Sequence, residues 1–317
     1  MKGPTLSRRL SGSGQELLLL AAIVLLFAVV GWINPRFVSP NNLTSIFVGN
    51  AYIAVAAIGM SMVIISGHID VSVGALIGVL ATISGLLVTN GYPVWVAWLL
   101  PVLIGGLWNA GLGAIVAYLK VPSIIATLAM LSILRGGLIT ATGGQWISGL
   151  PPEYQLAQFR LFGVPSPVWF MIGMTILAAF LLRYTAFGRS IYAVGGNAEA
   201  AEAEGIHYNR TIVAVFAIHG LIAGIAAILF ATQLQVIQST VPVGLELVII
   251  TASVVGGVSI LGGIGTVTGS TLAAILFAAI GSSLIFLNVS AYWLRAVQGI
   301  LILGTVLIDM VRRGRTG

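Results

Sequence analysis

The chain has 317 residues, of which 58% are hydrophobic and only 7% are charged, and its formal net charge is +6. Soluble domains carry about a quarter charged residues, so a chain this poor in charge is predicted to lie in a membrane. The positive charge does not indicate nucleic-acid binding, because the basic residues lie between apolar runs and at the two ends. The sequence contains no cysteine, which excludes disulfides, thiolate metal ligands and cysteine nucleophiles.

Ten apolar runs predict an all-α membrane protein, since a spanning helix needs about 20 mostly apolar residues. In chain order the runs are 17–33, 44–66, 71–89, 93–119, 122–142, 167–184, 211–232, 244–261, 266–287 and 292–311. The first run has no small-residue cleavage site, so we expect a permanent helix rather than a signal peptide. Because no soluble segment is appended, residues 1–317 are predicted to form one transmembrane domain.

The basic residues predict that both termini are cytoplasmic, because cytoplasmic loops carry the excess of Lys and Arg. With ten spans, the predicted cytoplasmic set is Lys2, Arg8, Arg9, Lys120, Arg183, Arg189, Arg210, Arg312, Arg313 and Arg315. Only Arg36 and Arg160 then lie outside. This orientation places the polar segment 185–210 in the cytoplasm, between the sixth and seventh helices, and makes 143–167 the longest outer loop.

Two hairpins rich in Gly and Ser interrupt the apolar sequence, SGHIDVSVG at 66–74 and GGVSILGGIG at 256–265. Each is either a simple turn or a broken, re-entrant helix of the kind found at transporter sites. The second is not a phosphate loop, because it lacks the required Lys. Asp70, in the first, is either a cap for the helix that begins near Val71 or a gating group in the pathway. His68 beside it has no second ligand at metal-binding spacing, so no metal site is expected.

Several other polar side chains lie inside apolar runs, where such groups either join helices or line a path for a polar solute. The candidate pathway and gating residues are Asp70, Asn50, Asn109, Thr127, Arg135 and Glu246. Arg135 is the most costly to place in a membrane, so we expect it to have a specific partner, with Glu246 as the candidate.

The outer loop contains Gln145, Trp146, Glu153 and Tyr154. Its aromatic residues are typical of the membrane interface. The alternative is that this loop contacts a soluble protein that delivers the solute.

Enzyme chemistry is not supported, because the chain has only three His and no sequence motif of a hydrolase or metalloprotease. Carboxylates deep in several helices, which an ion-coupled secondary transporter often needs, are also scarce. The sequence therefore favours a transporter with an external energy source over the alternative, an ion-coupled secondary transporter of small polar solutes.

The polar segment Phe187–Arg210 is the predicted contact with that energy source. Its Ala- and Glu-rich core is a strong helix former, with Asn197 as the predicted N-cap and Gly205 as the predicted stop. A short helix on the cytoplasmic face suits the docking of a partner, although a solvated loop helix would show the same pattern.

Four segments also carry a family resemblance: SGHIDVSVGA at 66–75, VPSIIATLAMLSILRG at 121–136, GRSIYAVGGNAEAAEAEGI at 188–206 and VVGGVSILGGIGTVTG at 254–269. Together, and in this order, they resemble the permease subunits of bacterial ABC sugar importers of the ribose, xylose, arabinose and galactose group. The segment at 188–206 is similar to the coupling loop of that family. TGGQWISGLP at 142–151 looks like the outer loop of the autoinducer-2 and rhamnose subgroup. The chain departs from the family pattern at His68, where a glycine is usual, and at Glu202 and Glu204.

The resemblance implies the transmembrane subunit of an importer in the bacterial inner membrane, for a monosaccharide or a similar polyhydroxylated solute. Two permease subunits, either two copies or this chain with a paralogue, would form the pathway between membrane lipids. A periplasmic binding protein would deliver the solute, and two ABC ATPase subunits would use ATP and Mg, so this chain would bind no cofactor. The implied ATPase-docking residues are Gly188, Arg189, Gly195, Gly196, Asn197, Glu199, Ala200, Ala201 and Gly205.

Overall fold

The computed structural model describes residues 6–239, 244–290 and 292–314, and this part of the chain is mainly helical. Lys2 and Arg315, used in the orientation argument, lie outside the described residues. The helices are α1 (Leu6–Ile33), α2 (Pro40–Ile65), α3 (Val73–Thr89), α4 (Val94–Tyr118), α5 (Ser123–Thr142), α6 (Ser166–Tyr184), α7 (Ala186–Gly196), α8 (Ala198–Ala203), α9 (Tyr208–Ala231), α10 (Leu245–Val255), α11 (Val267–Phe286) and α12 (Trp293–Gly314). A minimal antiparallel hairpin, β1 (Arg160–Leu161) with β2 (Val164–Pro165), lies between α5 and α6.

Seven helices of the described part are long and apolar enough to cross a membrane: α1 from Gly14 onward, α2, α4, α5, α6, α9 and α11. The other three predicted runs contain the shorter apolar helices α3, α10 and the first part of α12. The predicted run 244–261 was too long, because α10 ends at Val255. Gly256 and Gly257 follow, and Gly257 has a φ of +99°, which ends the helix. At 1.5 Å per residue, an 11-residue helix reaches roughly 16 Å, about half of a hydrocarbon core.

The centre of the bundle is α2, whose residues from Ala51 to Ile65 are almost all buried. It packs against α9, α11 and α6, and α9 in turn packs closely on α4. The α4–α9 contact is a backbone contact: a Cβ atom on Gly105 would lie 2.5 Å from the carbonyl oxygen of Gly220. Small residues are the usual means of such close approach in membrane bundles.

The outward faces of the peripheral helices keep large apolar side chains exposed. Examples are Leu25 on α1, Leu107 on α4, Ile125 on α5 and Ile176 on α6. Exposed apolar faces on helices of spanning length are what a lipid environment requires.

The predicted cap and stop of the short helix in the polar segment are confirmed. The Asn197 Oδ1 accepts a hydrogen bond from the Ala200 N–H at 3.0 Å. Gly205 has a φ of +84°, its N–H donates to the Glu202 carbonyl, and the Ile206 N–H donates to the Ala201 carbonyl. This is a Schellman end for α8.

The sequence did not predict α7, the longer helix that precedes α8. Thr185 caps it by accepting from the Gly188 N–H at 3.0 Å. Ile191 and Val194 are buried on its inner side, while Arg189 is exposed. The helix is therefore amphipathic and lies with its apolar side on the end of the bundle.

Candidate coupling site and transport pathway

Three segments that are far apart in the sequence meet at one end of the bundle. They are α7, the loop after α2 and the loop between α10 and α11. A Cβ atom on Gly195 would overlap the carbonyl oxygen of Ile65, and that same oxygen accepts a hydrogen bond from the Gly263 N–H at 2.8 Å. A Cβ atom on Gly262 would lie 2.7 Å from the Gly195 carbonyl oxygen and 2.9 Å from the Gly67 Cα. We call Gly67, Gly195, Gly262 and Gly263 the glycine junction.

The glycine junction contains almost no side-chain atoms, so it joins the three segments by backbone contact. Flexible side chains can yield when one segment moves, whereas touching backbones transmit a displacement directly. Gly67, Gly262 and Gly263 also have positive φ values, between 74° and 88°, which residues with a Cβ atom rarely adopt. Both close approach and backbone conformation therefore require glycine here.

Tyr192 of α7 makes a further contact with the loop between α10 and α11. Its hydroxyl group donates a hydrogen bond to the Gly265 carbonyl oxygen at 2.8 Å. Burial raises the pKa of Tyr192, so the hydroxyl group keeps its proton and acts as a donor. This hydrogen bond joins α7 to the α10–α11 loop.

The first helix holds the α10–α11 loop from the opposite side. The Gln15 Nε2 donates to the Val255 carbonyl oxygen at 3.0 Å. Glu16 accepts hydrogen bonds from the hydroxyl groups of Thr266, at 2.7 Å, and Thr268. Thr266 is the N-cap of α11, so this carboxylate also lies at the electropositive end of a helix. We did not predict this contact; an acidic residue at the start of an apolar run was its only signal.

The predicted docking residues divide into two groups. Arg189, Gly196, Asn197, Glu199, Ala200 and Gly205 are exposed. Gly188 and Ala201 are buried, and Gly195 packs in the glycine junction. These three residues pack against the bundle, and the docking role of the whole set stays a prediction.

Asp70 is completely buried and does not cap α3, whose N-cap is Ser72. Its Oδ1 accepts from the Ser72 N–H at 2.8 Å, so it shapes the turn before the helix. Its Oδ2 accepts from the Asn109 Nδ2 at 3.1 Å and lies 3.5 Å from the His219 Nε2. The structure thus joins two candidate pathway residues, Asp70 and Asn109, and adds His219 of α9, which sequence reasoning did not connect with them.

Thr127 is also fully buried, and its hydroxyl group lies 3.4 Å from the Ile69 carbonyl oxygen and 3.3 Å from the Ile124 carbonyl oxygen. It links α5 to the loop before α3. Like Asp70 and Asn109, it makes its contacts to protein groups in the bundle interior.

The expected partner of Arg135 is confirmed. Its Nη2 lies 3.1 Å from both carboxylate oxygens of Glu246, which joins α5 to the first turn of α10. A Cβ atom on Gly74 would lie 2.7 Å from a Glu246 oxygen, so glycine makes room for the carboxylate beside α3. Asn50, the remaining candidate, lies half-buried on α2, with its Nδ2 donating to the Ile46 carbonyl oxygen at 3.0 Å.

The outer loop presents only some of its predicted residues. Trp146 and Glu153 are exposed, whereas Tyr154 is completely buried. Its hydroxyl group is 2.6 Å from the Ser84 Oγ, and burial raises the pKa of Tyr154 to about 12. Tyr154 therefore anchors the loop and does not contact a partner. Among the described residues, no group of three His, Asp or Glu side chains is placed to hold a metal ion.

Comparisons with known proteins identify the family. The model of a family described as the permease component of a branched-chain amino acid transport system matches residues 42–306. The autoinducer 2 import system permease protein LsrC of Escherichia coli (strain K12 / DH10B) is 37% identical over 298 residues, covering 94% of this chain and 87% of the relative. LsrC of Salmonella typhi is 37% identical over 301 residues, covering 94% of this chain and 86% of the relative.

No solved structure matches the chain. The family model covers well over half of the sequence, and the relatives match nearly all of it. The chain therefore belongs to this family of membrane permeases, as the transport component of an ABC-type importer and not as an enzyme.

Proposed function

We propose that this chain forms the pathway for autoinducer-2 or a similar small polyhydroxylated solute, such as ribose or rhamnose. Permeases of this kind work with ATPase subunits and a solute-binding protein. The solute is proposed because the similar LsrC proteins carry autoinducer 2 import in their name. The observation that carries the mechanism is the glycine junction, where α7 meets the end of α2 and the α10–α11 loop backbone to backbone.

The proposal includes a topology of ten spans in one domain, with both termini in the cytoplasm of a bacterial cell and the chain in its inner membrane. Three observations support it. The shorter helices α3, α10 and α12 are apolar, the basic residues favour this orientation, and α7 and α8 lie outside the seven long spans.

In this mechanism the ATPase subunits bind the exposed residues of α7 and α8, among them Arg189, Asn197 and Glu199. ATP and Mg bind to the ATPase subunits, and this chain binds neither. Closure of the ATPases displaces α7, and the glycine junction passes that displacement to Ile65 and Gly263 without an intervening side chain. The ends of α2 and α10 then move, which switches the access of a cavity formed with a second permease, either a copy or a paralogue.

The test is uptake by the chain reconstituted in proteoliposomes with its ATPase, binding-protein and permease partners. Autoinducer-2, D-ribose and L-rhamnose are the probes, each in radiolabelled form. We expect uptake of at least one probe to require hydrolysable ATP and the binding protein, and to persist in the presence of an ionophore. Uptake that continues without ATP and stops with the ionophore would identify an ion-coupled transporter and overturn the proposal.

A further inference from the structure

A mainly apolar groove with a strip of polar side chains lies between α2, α11 and α12, away from the glycine junction. Its volume is about 380 Å³. The polar part of its wall consists of Asn42, Ser45 and Asn50 from α2 and Ser282 from α11. Phe277 and Phe286 are among the apolar residues that complete it.

The position of the groove along α2 fixes its side of the membrane relative to the coupling site. Asn50 and Asn42 precede Ile65, at the glycine junction, by 15 and 23 positions in one continuous helix. At 1.5 Å per residue these separations are roughly 22 Å and 35 Å. The groove therefore lies toward the opposite face from α7, which is the face where a binding protein delivers solute under the proposed function.

Asn42 lies between the other two polar residues of α2 around the helix. Ser45 and Asn50 are three and eight residues from it, which at 3.6 residues per turn puts them roughly 60° and 80° away, one to each side. Polar groups on the outside of a membrane helix are costly in lipid and usually face water or another protein. Three of them on α2 and a fourth on α11 indicate that one strip of the groove meets water.

Each side-chain donor of this strip already uses one hydrogen inside the protein. The Ser45 Oγ donates to the Asn41 carbonyl oxygen at 3.0 Å, the Ser282 Oγ donates to the Asn42 Oδ1 at 2.9 Å, and the Asn50 Nδ2 donates to the Ile46 carbonyl oxygen. A hydroxyl oxygen or an amide oxygen still has lone pairs when its own hydrogen is engaged. The groove thus offers the acceptor oxygens of Ser45, Ser282 and Asn50, and also the second amide hydrogen of Asn50, all of which match the hydroxyl groups of a solute.

The charge and size of the groove narrow the class of solute further. None of its lining residues is Asp, Glu, Lys, Arg or His. The two Phe side chains and their aliphatic neighbours suit the C–H face of a small ring. A volume of about 380 Å³ lies at the lower end of the range of roughly 300–1,000 Å³ for small-molecule sites.

We propose that this groove is the first solute subsite on the chain, and that it takes an uncharged polyhydroxylated ring of furanose size. Hydroxyl groups of the solute donate to the acceptor oxygens of Asn50, Ser45 and Ser282. The subsite rests on the proposed function, since it names where that pathway receives its solute.

The absence of cysteine from the sequence allows a direct test on the full complex. Ser45→Cys, Ser282→Cys and the control Leu103→Cys are each treated in spheroplasts with a membrane-impermeant, positively charged methanethiosulfonate. Leu103 is an exposed apolar residue of α4. Labelling is read from the mass of this chain, so cysteines of partner subunits do not interfere. We expect labelling at positions 45 and 282 and none at position 103. When the solute that the wild type transports is present with its binding protein, labelling at positions 45 and 282 should be at least three-fold slower.

If lipid fills the groove, positions 45 and 282 will stay unlabelled. If the groove is an interface with another subunit, adding solute will not change the extent of labelling. Either result overturns the subsite.

A second variant measures solute binding in the pathway. Asn50→Leu removes an acceptor oxygen with little change in volume, and we expect it to raise the KM for uptake about ten-fold. Leu103→Ala is the control and should leave both the KM and basal ATP hydrolysis unchanged. An unchanged KM for Asn50→Leu, in a complex whose wild type shows ATP-driven uptake, defeats the subsite alone. A wild type without ATP-driven uptake defeats the proposed function, whatever the labelling shows.

Discussion

The Nη2 of Arg135 lies 3.1 Å from both carboxylate oxygens of Glu246, and this ion pair joins two helices of the membrane bundle. The Glu246 side chain is 8% exposed and that of Arg135 is 29% exposed. We predict that Glu246→Gln and Arg135→Met each destabilise the protein, because each leaves one charge without its partner. Removing one partner of a buried pair costs about 3–5 kcal/mol, and the partial exposure of Arg135 places this pair at the lower end. Thermal unfolding in detergent measures the effect.

The double variant Arg135→Met/Glu246→Gln provides the control. It removes both charges, so its loss of stability should be clearly smaller than the sum of the two single losses. Additive losses would show that the two side chains do not depend on each other.

The pairing of Arg135 with Glu246 could be predicted because a charge in a membrane is costly and few carboxylates were available to pair with it. The helices could be predicted because hydrocarbon imposes long apolar runs. The glycine junction could not be predicted in this way, since Gly67, Gly195 and Gly263 are distant in sequence and a glycine contact has no side-chain signature. For α7, its amphipathic pattern competed with three glycines, so only tertiary contact shows that it is helical. His219 was missed because a histidine inside an apolar run is compatible with many partners.

Asp70 and Asn109 are predicted to depend on each other as donor and acceptor. Asp70 accepts from the Ser72 N–H with one oxygen and from the Asn109 Nδ2 with the other, whereas Asn has only one acceptor oxygen, so in Asp70→Asn one buried donor loses its partner. An unsatisfied buried group costs about 1–3 kcal/mol. We therefore expect a lower yield of folded protein, a lower Tm and correspondingly reduced uptake.

Exchanging the two groups tests this explanation. Asp70→Asn/Asn109→Asp restores one donor facing one acceptor, and it should recover part of the lost Tm. If Asp70→Asn keeps the wild-type Tm but loses uptake, Asp70 acts in gating and not in the structure of the bundle.

Glu16 is predicted to hold the α10–α11 loop through its hydrogen bonds with Thr266 and Thr268. Glu16→Ala removes the shared acceptor and leaves two hydroxyl groups without it. Hydrogen bonds to charged groups contribute about 1.5–3 kcal/mol, so a loss of that order is expected in thermal unfolding. Glu199→Ala is the matched control, because Glu199 is an exposed acidic residue, and exposed substitutions usually change stability by less than about 0.5 kcal/mol. Equal Tm values for the two variants would contradict a role for Glu16 in holding the loop.

Two adjacent glycines of α7 allow the sharpest test of the coupling route. A Cβ atom on Gly195 would overlap the backbone of Ile65, whereas a Cβ atom on Gly196 would meet no atom within 4 Å. Gly195→Ala therefore forces α7 away from the glycine junction, while Gly196→Ala adds a methyl group to open space and favours the helix slightly.

We expect Gly195→Ala to reduce ATP-driven uptake at least ten-fold, because the displacement of α7 no longer reaches α2. The chain should still be inserted in the membrane and still bound to its ATPase. Gly196→Ala places its methyl group on the predicted docking surface and leaves the contact with Ile65 intact, so it should lower the rate of transport much less. Tyr192→Phe, which loses only the hydrogen bond to Gly265, should fall between them, since a single neutral hydrogen bond contributes about 1 kcal/mol. Uptake by Gly195→Ala equal to that of Gly196→Ala would mean that force passes to the bundle by another route.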